Sequence, residues 1–91
     1  MTALALTSEP QVRRTFVIEM DDETSAVMRV LEAFALGGAR LTGLDLRAAD
    51  DDSLRLKVMA VGLDEVHAER IGRRVASLPV VRQVASGWMR G

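Results

Sequence analysis

Cysteine and tyrosine are absent from this sequence of 91 residues, and aromatic residues make up only 3% of it. Without cysteine, the chain has no disulfide framework, thiolate nucleophile or zinc–thiolate site. The strand predicted at residues 54–61 contains no aromatic ring on which an RNA base could stack. A formal net charge of −1 gives no attraction to nucleic acid or to an anionic membrane. The composition therefore argues against both of these partners.

Long hydrophobic runs are also missing, so no segment predicts a membrane span. The apolar fragment at residues 3–6 lacks a preceding basic region and is too short for a secretory signal. We therefore expect a cytoplasmic protein. A chain of this length has room for one core only, and we expect residues 1–13 to form a flexible lead-in and residues 14–91 a single domain.

The pattern of the remaining residues predicts the element order β-α-β-β-α-β. Alternating apolar and polar residues predict strands at 15–20, 40–48, 54–61 and 80–86, and helical spacing predicts helices at 25–36 and from 64 to the proline at 79. This order is typical of a ferredoxin-like α+β sandwich with a four-stranded antiparallel sheet. Both helices should cover one face of the sheet, because their apolar stripes need a common core.

The first helix has the apolar spacing of a helix that lies on a sheet. Its predicted buried stripe consists of Val27, Val30, Leu31, Phe34 and Ala35. Asp22 and Thr24 are both candidate N-caps, since a short side-chain oxygen can accept an orphan backbone N–H. Gly37 and Gly38 supply a stop with positive φ at the other end.

The second helix is predicted to begin at Asp64, a good N-cap, and to stop at Pro79. Its predicted buried stripe consists of Ala68, Ile71, Val75 and Leu78. On its polar face, Glu69 and Arg73 have the spacing and orientation of a helical ion pair.

Catalytic machinery is not predicted anywhere in the chain. A nucleophile needs an activating base and an orienting third group, and the only histidine is His67, expected to be exposed near Asp64. A single surface pair of this kind could touch a metal ion but seldom binds one specifically. The aspartates at 50–52 lack the glycine and glutamate of a calcium loop, so a polar hairpin turn is the better interpretation. We expect no enzyme and no metal site.

The acidic loop before the first helix, at residues 21–24, has two interpretations. The helix N-terminus offers free N–H groups and a positive dipole end to a carboxylate, and the three acids could accept from an ammonium group. A small zwitterion such as an amino acid would fit that pair of features. Alternatively, the acids only balance the dipole of their own helix, since Asp and Glu are common in first turns.

Several short segments carry a resemblance to a known family. They are Asp22-Glu23-Thr24, Arg29-Val30-Leu31 with Phe34, Gly38, Met59-Ala60-Val61, and Val75-Ala76-Ser77-Leu78-Pro79-Val80-Val81. Together, over about residues 14–85, they resemble the ACT domain, an amino-acid-sensing regulatory module. Within that family the chain is most similar to the small regulatory subunit of acetolactate (acetohydroxyacid) synthase.

The resemblance implies a non-catalytic subunit that activates a large catalytic subunit in branched-chain amino-acid biosynthesis. Thiamine diphosphate, magnesium and FAD would belong to that partner, with no cofactor in this chain. It also implies a homodimer through helix 1 and strand 2, with a branched-chain amino acid such as valine near the first loop. The ligand residues at matching positions are Asp22, Thr24, Ser25, Ala26, Gly38, Arg40 and Leu41.

Two departures from the family pattern affect the ligand. Thr24 and Ser25 replace a common Pro-Gly, whose glycine lets a ligand approach the backbone, and Arg40 replaces a common asparagine. We therefore expect weak or absent valine feedback. Two alternatives stay open, a free-standing amino-acid sensor and a ligand-free dimerisation module.

Two further expectations concern contacts with other chains. Strand 2 is predicted to lie at an edge of the sheet, where an unpaired ladder usually needs a cover, and Gly43 would permit a close backbone approach there. Trp88, predicted to lie beyond strand 4, is either a packed anchor or a partner contact.

Overall fold

The computed structural model describes residues 12–50 and 52–90, with side chains as far as residue 87. The elements are β1 (Val12–Asp21), α1 (Thr24–Leu36), β2 (Arg40–Ala48), β3 (Ser53–Val61), α2 (Glu65–Ala76) and β4 (Val81–Arg90). One antiparallel sheet has the strand order β2-β3-β1-β4, and its core side is covered by both helices. This confirms the predicted ferredoxin-like α+β sandwich and places β2 at an edge.

The strands β1 and β4 are longer than predicted because they pair with each other over their whole length. Val12 lies opposite Arg90, and Arg14 lies opposite Trp88. Trp88 is thus part of β4, which corrects its predicted place beyond that strand, although its side chain lies outside the described part. Arg13 also belongs to β1, whereas the first eleven residues of the predicted lead-in lie outside the described residues.

The core lies between the sheet and the helices. Alternate residues of the two central strands supply its floor, and all are at most 1% exposed: Phe16, Ile18, Met20, Leu56, Val58 and Ala60. The ring of Phe34 on α1 meets that of Phe16 on β1 edge to face, with centroids 4.9 Å apart. Edge-to-face contact is a favoured geometry for an aromatic pair, so this contact fixes α1 on the sheet.

The buried stripe of α1 is rotated relative to the prediction. Its buried residues are Ala26, Val30, Ala33 and Phe34. Val27 and Leu31 pack against the edge of the core, and Ala35, predicted to be buried, is exposed. The alanines at 26, 33 and 35 have equal hydrophobicity, so only packing on the sheet decides which of them is inside.

The N-terminus of α1 also differs from the prediction. Its N-cap is Glu23, whose extended backbone enters the helix without a side-chain hydrogen bond, so the prediction of Asp22 or Thr24 is wrong. The backbone N–H of Asp22 donates to the carbonyl of Asp52 at 3.0 Å, which holds Asp22 outside the helix. Thr24 is already the first helical residue.

The C-terminus of α1 depends on two glycines with different tasks. Gly38 has φ +76°, as expected of a helix stop in the left-handed region. Gly37 is the C-cap and keeps helical φ and ψ, and a Cβ there would lie 2.4 Å from Cγ1 of Ile71. The missing side chain at Gly37 therefore lets α1 and α2 pack closely.

The second helix begins as predicted. The carboxylate of Asp64 caps it by accepting the backbone N–H of His67 at 2.8 Å. Three residues of the predicted stripe are buried within it: Ala68, Ile71 and Val75. The helix ends at Ala76 with Ser77 as its C-cap, before the proline, and the Ser77 N–H and hydroxyl both donate to carbonyls of the last turn. The predicted ion pair of Glu69 with Arg73 is not formed among the described residues.

The turn between β2 and β3 is polar and closes on itself, in agreement with the sequence. The N–H of Ala49 donates to the carbonyl of Ser53 at 3.0 Å, and the hydroxyl of Ser53 donates to the carbonyl of Asp50 at 2.8 Å.

Within residues 12–50 and 52–90, neither helix is long and apolar enough to cross a bilayer.

Candidate functional site

The β1–α1 loop lies at the end of the sheet where β1 finishes and β4 starts. The N–H of Asp21 donates to the carbonyl of Val80 at 2.9 Å, and that of Asp22 donates to Asp52 in the β2–β3 turn. Backbone hydrogen bonds thus tie three segments that are distant in sequence. The acidic loop is a fixed part of the sheet end.

Arg82 strengthens this junction and was not found by sequence reasoning. Its Nε donates to Oδ1 of Asp21 at 3.0 Å, and its second guanidinium nitrogen donates to the carbonyl of Asp52 at 3.1 Å. Arg82 is the extra residue where the β1–β4 register shifts between Glu19 and Met20. A bulge re-aims a side chain, so the alternation of β4 could not reveal this contact across 61 residues.

The first turn of α1 retains two free donors. Among the described residues, the backbone N–H groups of Thr24 and Ser25 have no hydrogen-bond acceptor, whereas that of Ala26 donates to the carbonyl of Glu23 at 3.0 Å. The Ala26 side chain is fully buried, and the Ser25 hydroxyl donates to the Glu23 carboxylate at 3.4 Å. Thr24 and Ser25 therefore offer N–H groups at the positive end of the helix.

The other predicted ligand residues lie at the opposite end of α1. Gly38, Arg40 and Leu41 follow the helix, and α1 has 13 residues, which corresponds to a length of about 20 Å. Gly38 and Arg40 are exposed, and Leu41 is 37% exposed. Within one chain, the predicted ligand residues therefore lie in two separate groups. The loop group, which includes the exposed Asp22, is at the start of α1, and the β2 group is at its end.

Apolar side chains are exposed along the β2 edge. Leu44 and Leu46 lie opposite the buried Val58 and Leu56 of β3, so they point to the helix side of the sheet. They are nevertheless 50% and 48% exposed, because no further strand or helix lies beside them in the described chain. This is the part of the core side that the helices leave open.

The flank of α1 next to this edge is apolar as well. Val27, Leu31 and Ala35 recur every four residues and therefore share one flank; Met28, 61% exposed, lies beside them. Leu36 is on the other flank, facing α2. We define the α1–β2 face by its members from both elements: Val27, Met28, Leu31, Ala35, Leu41, Leu44 and Leu46.

A bulge interrupts β2 near its start. Leu41 pairs with Ala60 and Gly43 pairs with Met59, so Thr42 is the extra residue. A Cβ at Gly43 would lie 2.4 Å from Cε of Met59, which shows that the methionine covers the glycine. The space predicted at Gly43 for another backbone is filled from within the chain on that face.

The pair of His67 and Asp64 is exposed, with Nδ1 of the imidazole 2.7 Å from Oδ1 of the carboxylate. The hydrogen bond from the His67 backbone lowers the pKa of Asp64, and the bond from the imidazole lowers it further. Within the described residues, no group of three His, Cys, Asp or Glu side chains could hold a metal ion. The observed role of Asp64 is that of the N-cap of α2.

The part of the Asp64 cap that depends on the carboxylate charge is expected to disappear in acid. Because the pKa of Asp64 is lower in the folded chain than in the unfolded one, its contribution is complete above about pH 4 and is lost as the pH falls through the lowered folded value. Asp64→Asn should lower the urea midpoint of unfolding at neutral pH. In acid, the midpoints of the variant and the parent protein should converge. Asp22→Asn, at a carboxylate without a hydrogen bond in the described chain, is the control. A difference for Asp64→Asn that does not change with pH would contradict this explanation.

Comparison with known proteins gives a fold but no sequence relative. No family model matches the chain, and no curated protein matches it. The ACT domain from GTP pyrophosphokinase of Chlorobium tepidum superposes with a TM-score of 0.73 at 10% identity, covering 85% of this chain and 99% of that one. The C-terminal domain of the MgtC protein from Mycobacterium tuberculosis gives 0.70 at 17% identity and covers 90% of each chain.

A third structure shares the fold within a longer chain. A putative glycine cleavage system transcriptional repressor gives a TM-score of 0.68 at 12% identity, covering 90% of this chain and 49% of the repressor. At identities this low, the match shows only that the arrangement of helices and strands is shared. The likeness to the acetolactate synthase subunit stays a prediction, and this chain has the fold of an ACT domain.

Proposed function

We propose that this chain is a non-catalytic regulatory subunit that works as a homodimer and activates a catalytic partner of the acetolactate synthase type. The observation that carries the proposal is the exposed α1–β2 face on an ACT fold. A contiguous apolar surface of this kind marks an interaction site, and β2 adds an edge ladder that proteins usually cover. A second copy would cover both.

A two-fold axis beside β2 would also complete the ligand site. The two β2 strands would run antiparallel and so would the two α1 helices, since a two-fold interface uses the same patch on both copies. The loop of one copy would then approach the Arg40 end of its partner. The separation of about 20 Å within one chain is thus what an intersubunit site requires. We expect the Thr24 and Ser25 N–H groups of one copy to face Arg40 of the other.

The local chemistry supports weak valine feedback. Asp21 is bound by Arg82 and is not free for a ligand ammonium. The exposed Asp22 and Glu23 would repel a carboxylate that approaches the free N–H groups. Ser25 adds a side chain where a glycine would leave the backbone open. These features favour activation of the partner over inhibition by an amino acid.

Reconstitution tests the proposal. Purified acetolactate synthase catalytic subunit, which would hold thiamine diphosphate, magnesium and FAD, is assayed alone and with this chain. We expect kcat to rise on addition, with little inhibition by valine, leucine or isoleucine. The Leu44→Glu variant serves as the matched negative control, since we expect it not to form the homodimer.

Other outcomes favour the two alternatives. If the rate does not change but calorimetry shows an amino acid binding to this chain alone, a free-standing sensor is favoured, consistent with the two unbonded N–H groups. If the rate is unchanged and no amino acid binds, a ligand-free dimerisation module is favoured. Strong valine inhibition of the reconstituted complex would refute the weak-feedback part alone.

A further inference from the structure

A cleft lies on the side of α1 that faces α2, away from the α1–β2 face. Its volume is about 340 Å³, and it lies between the C-terminal end of α1 and the exposed flank of α2. Gly37 and Gly38 form its α1 side, and His67, Arg70 and Arg74 form its α2 side. A cleft of about this volume is at the lower end of the range for small-molecule sites.

The charge in this cleft is uncompensated. Arg70 and Arg74 are four residues apart and therefore project from the same face of α2. Neither makes an ion pair within the residues that the structure describes. The nearby acids Glu65 and Glu69 line a separate cleft with Arg14 on the other flank of the helix. Two guanidinium groups thus face the cleft without a carboxylate opposite them.

The carboxylate that contacts His67 is already engaged. Asp64 accepts both the backbone N–H of His67 at 2.8 Å and its Nδ1 at 2.7 Å. This contact holds the imidazole in place. Its other nitrogen, Nε2, has no partner among the described residues and adds a polar group to the cleft.

The end of α1 does not oppose an anion strongly. A helix C-terminus is negative where its last carbonyls are unbonded. Here the carbonyl oxygens of residues 33–35 each accept a backbone N–H from residues 37–39 at 3.1 Å. Most of the exposed carbonyl charge at this end is therefore satisfied before any ligand arrives.

We propose that this cleft binds a small anion with phosphate or carboxylate groups. Arg70 and Arg74 would grip its oxygens, since a guanidinium presents paired N–H donors that match both groups. Gly38 leaves room for it, because nothing lies within 4 Å of a Cβ built there, whereas the space beside Gly37 is filled by Ile71. The cleft shares Gly38 with the predicted amino-acid site, but its cationic residues lie on α2, and it does not depend on a catalytic partner.

Calorimetric titration of the full chain with inorganic pyrophosphate and with citrate, at constant ionic strength, tests this proposal. We expect saturable binding of at least one probe with one ion per chain. The two probes distinguish phosphate from carboxylate chemistry. Arg70→Gln with Arg74→Gln should weaken binding by at least about tenfold, as expected for the loss of charge-assisted bidentate contacts.

The matched control is Arg73→Gln, on the same helix but outside the cleft, which should bind as the parent does. In an amide NMR spectrum, the signals of Gly37 and Gly38 should shift on titration and that of Gly87 should not. Circular dichroism checks that the variants are folded. Absence of saturable binding by both probes, or an equal loss for Arg73→Gln, would overturn the proposal.

Discussion

Leu44→Glu is expected to convert the proposed dimer into a monomer. In the folded chain Leu44 is 50% exposed, so a glutamate there stays solvated and the monomer can still fold. At the centre of the proposed interface, the same carboxylate would face its copy and lose water without a partner, which is strongly unfavourable. We expect a rise in the dimer dissociation constant of at least about thirtyfold, equivalent to a hot spot of about 2 kcal/mol.

Light scattering over a range of protein concentrations measures this effect. Val66→Glu is the matched control, because Val66 is also an exposed aliphatic residue, at 58%, but lies on α2 outside the α1–β2 face. It should leave the dimer intact. A parent protein that is monomeric at every concentration would refute the dimer. Equal dissociation by the two glutamate variants would place the interface elsewhere.

Phe34→Ala is expected to cause the largest loss of stability. Phe34 is fully buried, and its ring contacts that of Phe16 edge to face. Removal of a buried phenylalanine costs about 3–5 kcal/mol, from lost burial and from the cavity that remains. A whole domain is stable by only about 5–15 kcal/mol, so the variant should lose a large share of its free energy of unfolding.

Urea unfolding at a fixed protein concentration measures the free energy of unfolding, since dimer formation would otherwise change the apparent stability. Phe34→Leu should lose less, because a smaller cavity is left. Val66→Ala, at an exposed site, should stay within about 0.5 kcal/mol of the parent. A loss below about 1 kcal/mol for Phe34→Ala would mean that α1 is not held by this contact.

The contacts at the end of the sheet explain why the sequence predicts only part of the candidate site. The acidic loop and its helix are adjacent in sequence, so their joint occurrence could be recognised directly. The contact of Arg82 with Asp21 could not, because it depends on a bulge that changes which side of β4 an arginine occupies. The N-cap was misassigned for a related reason, since Asp22 is held by the β2–β3 turn.

The element order, the strand faces and the cap at Asp64 follow from the sequence alone. Each depends on residues within one or two turns or on strict alternation, and such spacings are set by backbone geometry. The rotation of α1, which places Ala33 inside and Ala35 outside, required the packed sheet. So did the length of β4, where pairing with β1 carries the strand through Gly87 to Trp88 and beyond, and the exposure of Leu44. Local spacing of residues determines whether a segment is a helix or a strand. Which faces of that element stay exposed to solvent depends on the segments that the folded chain places beside it.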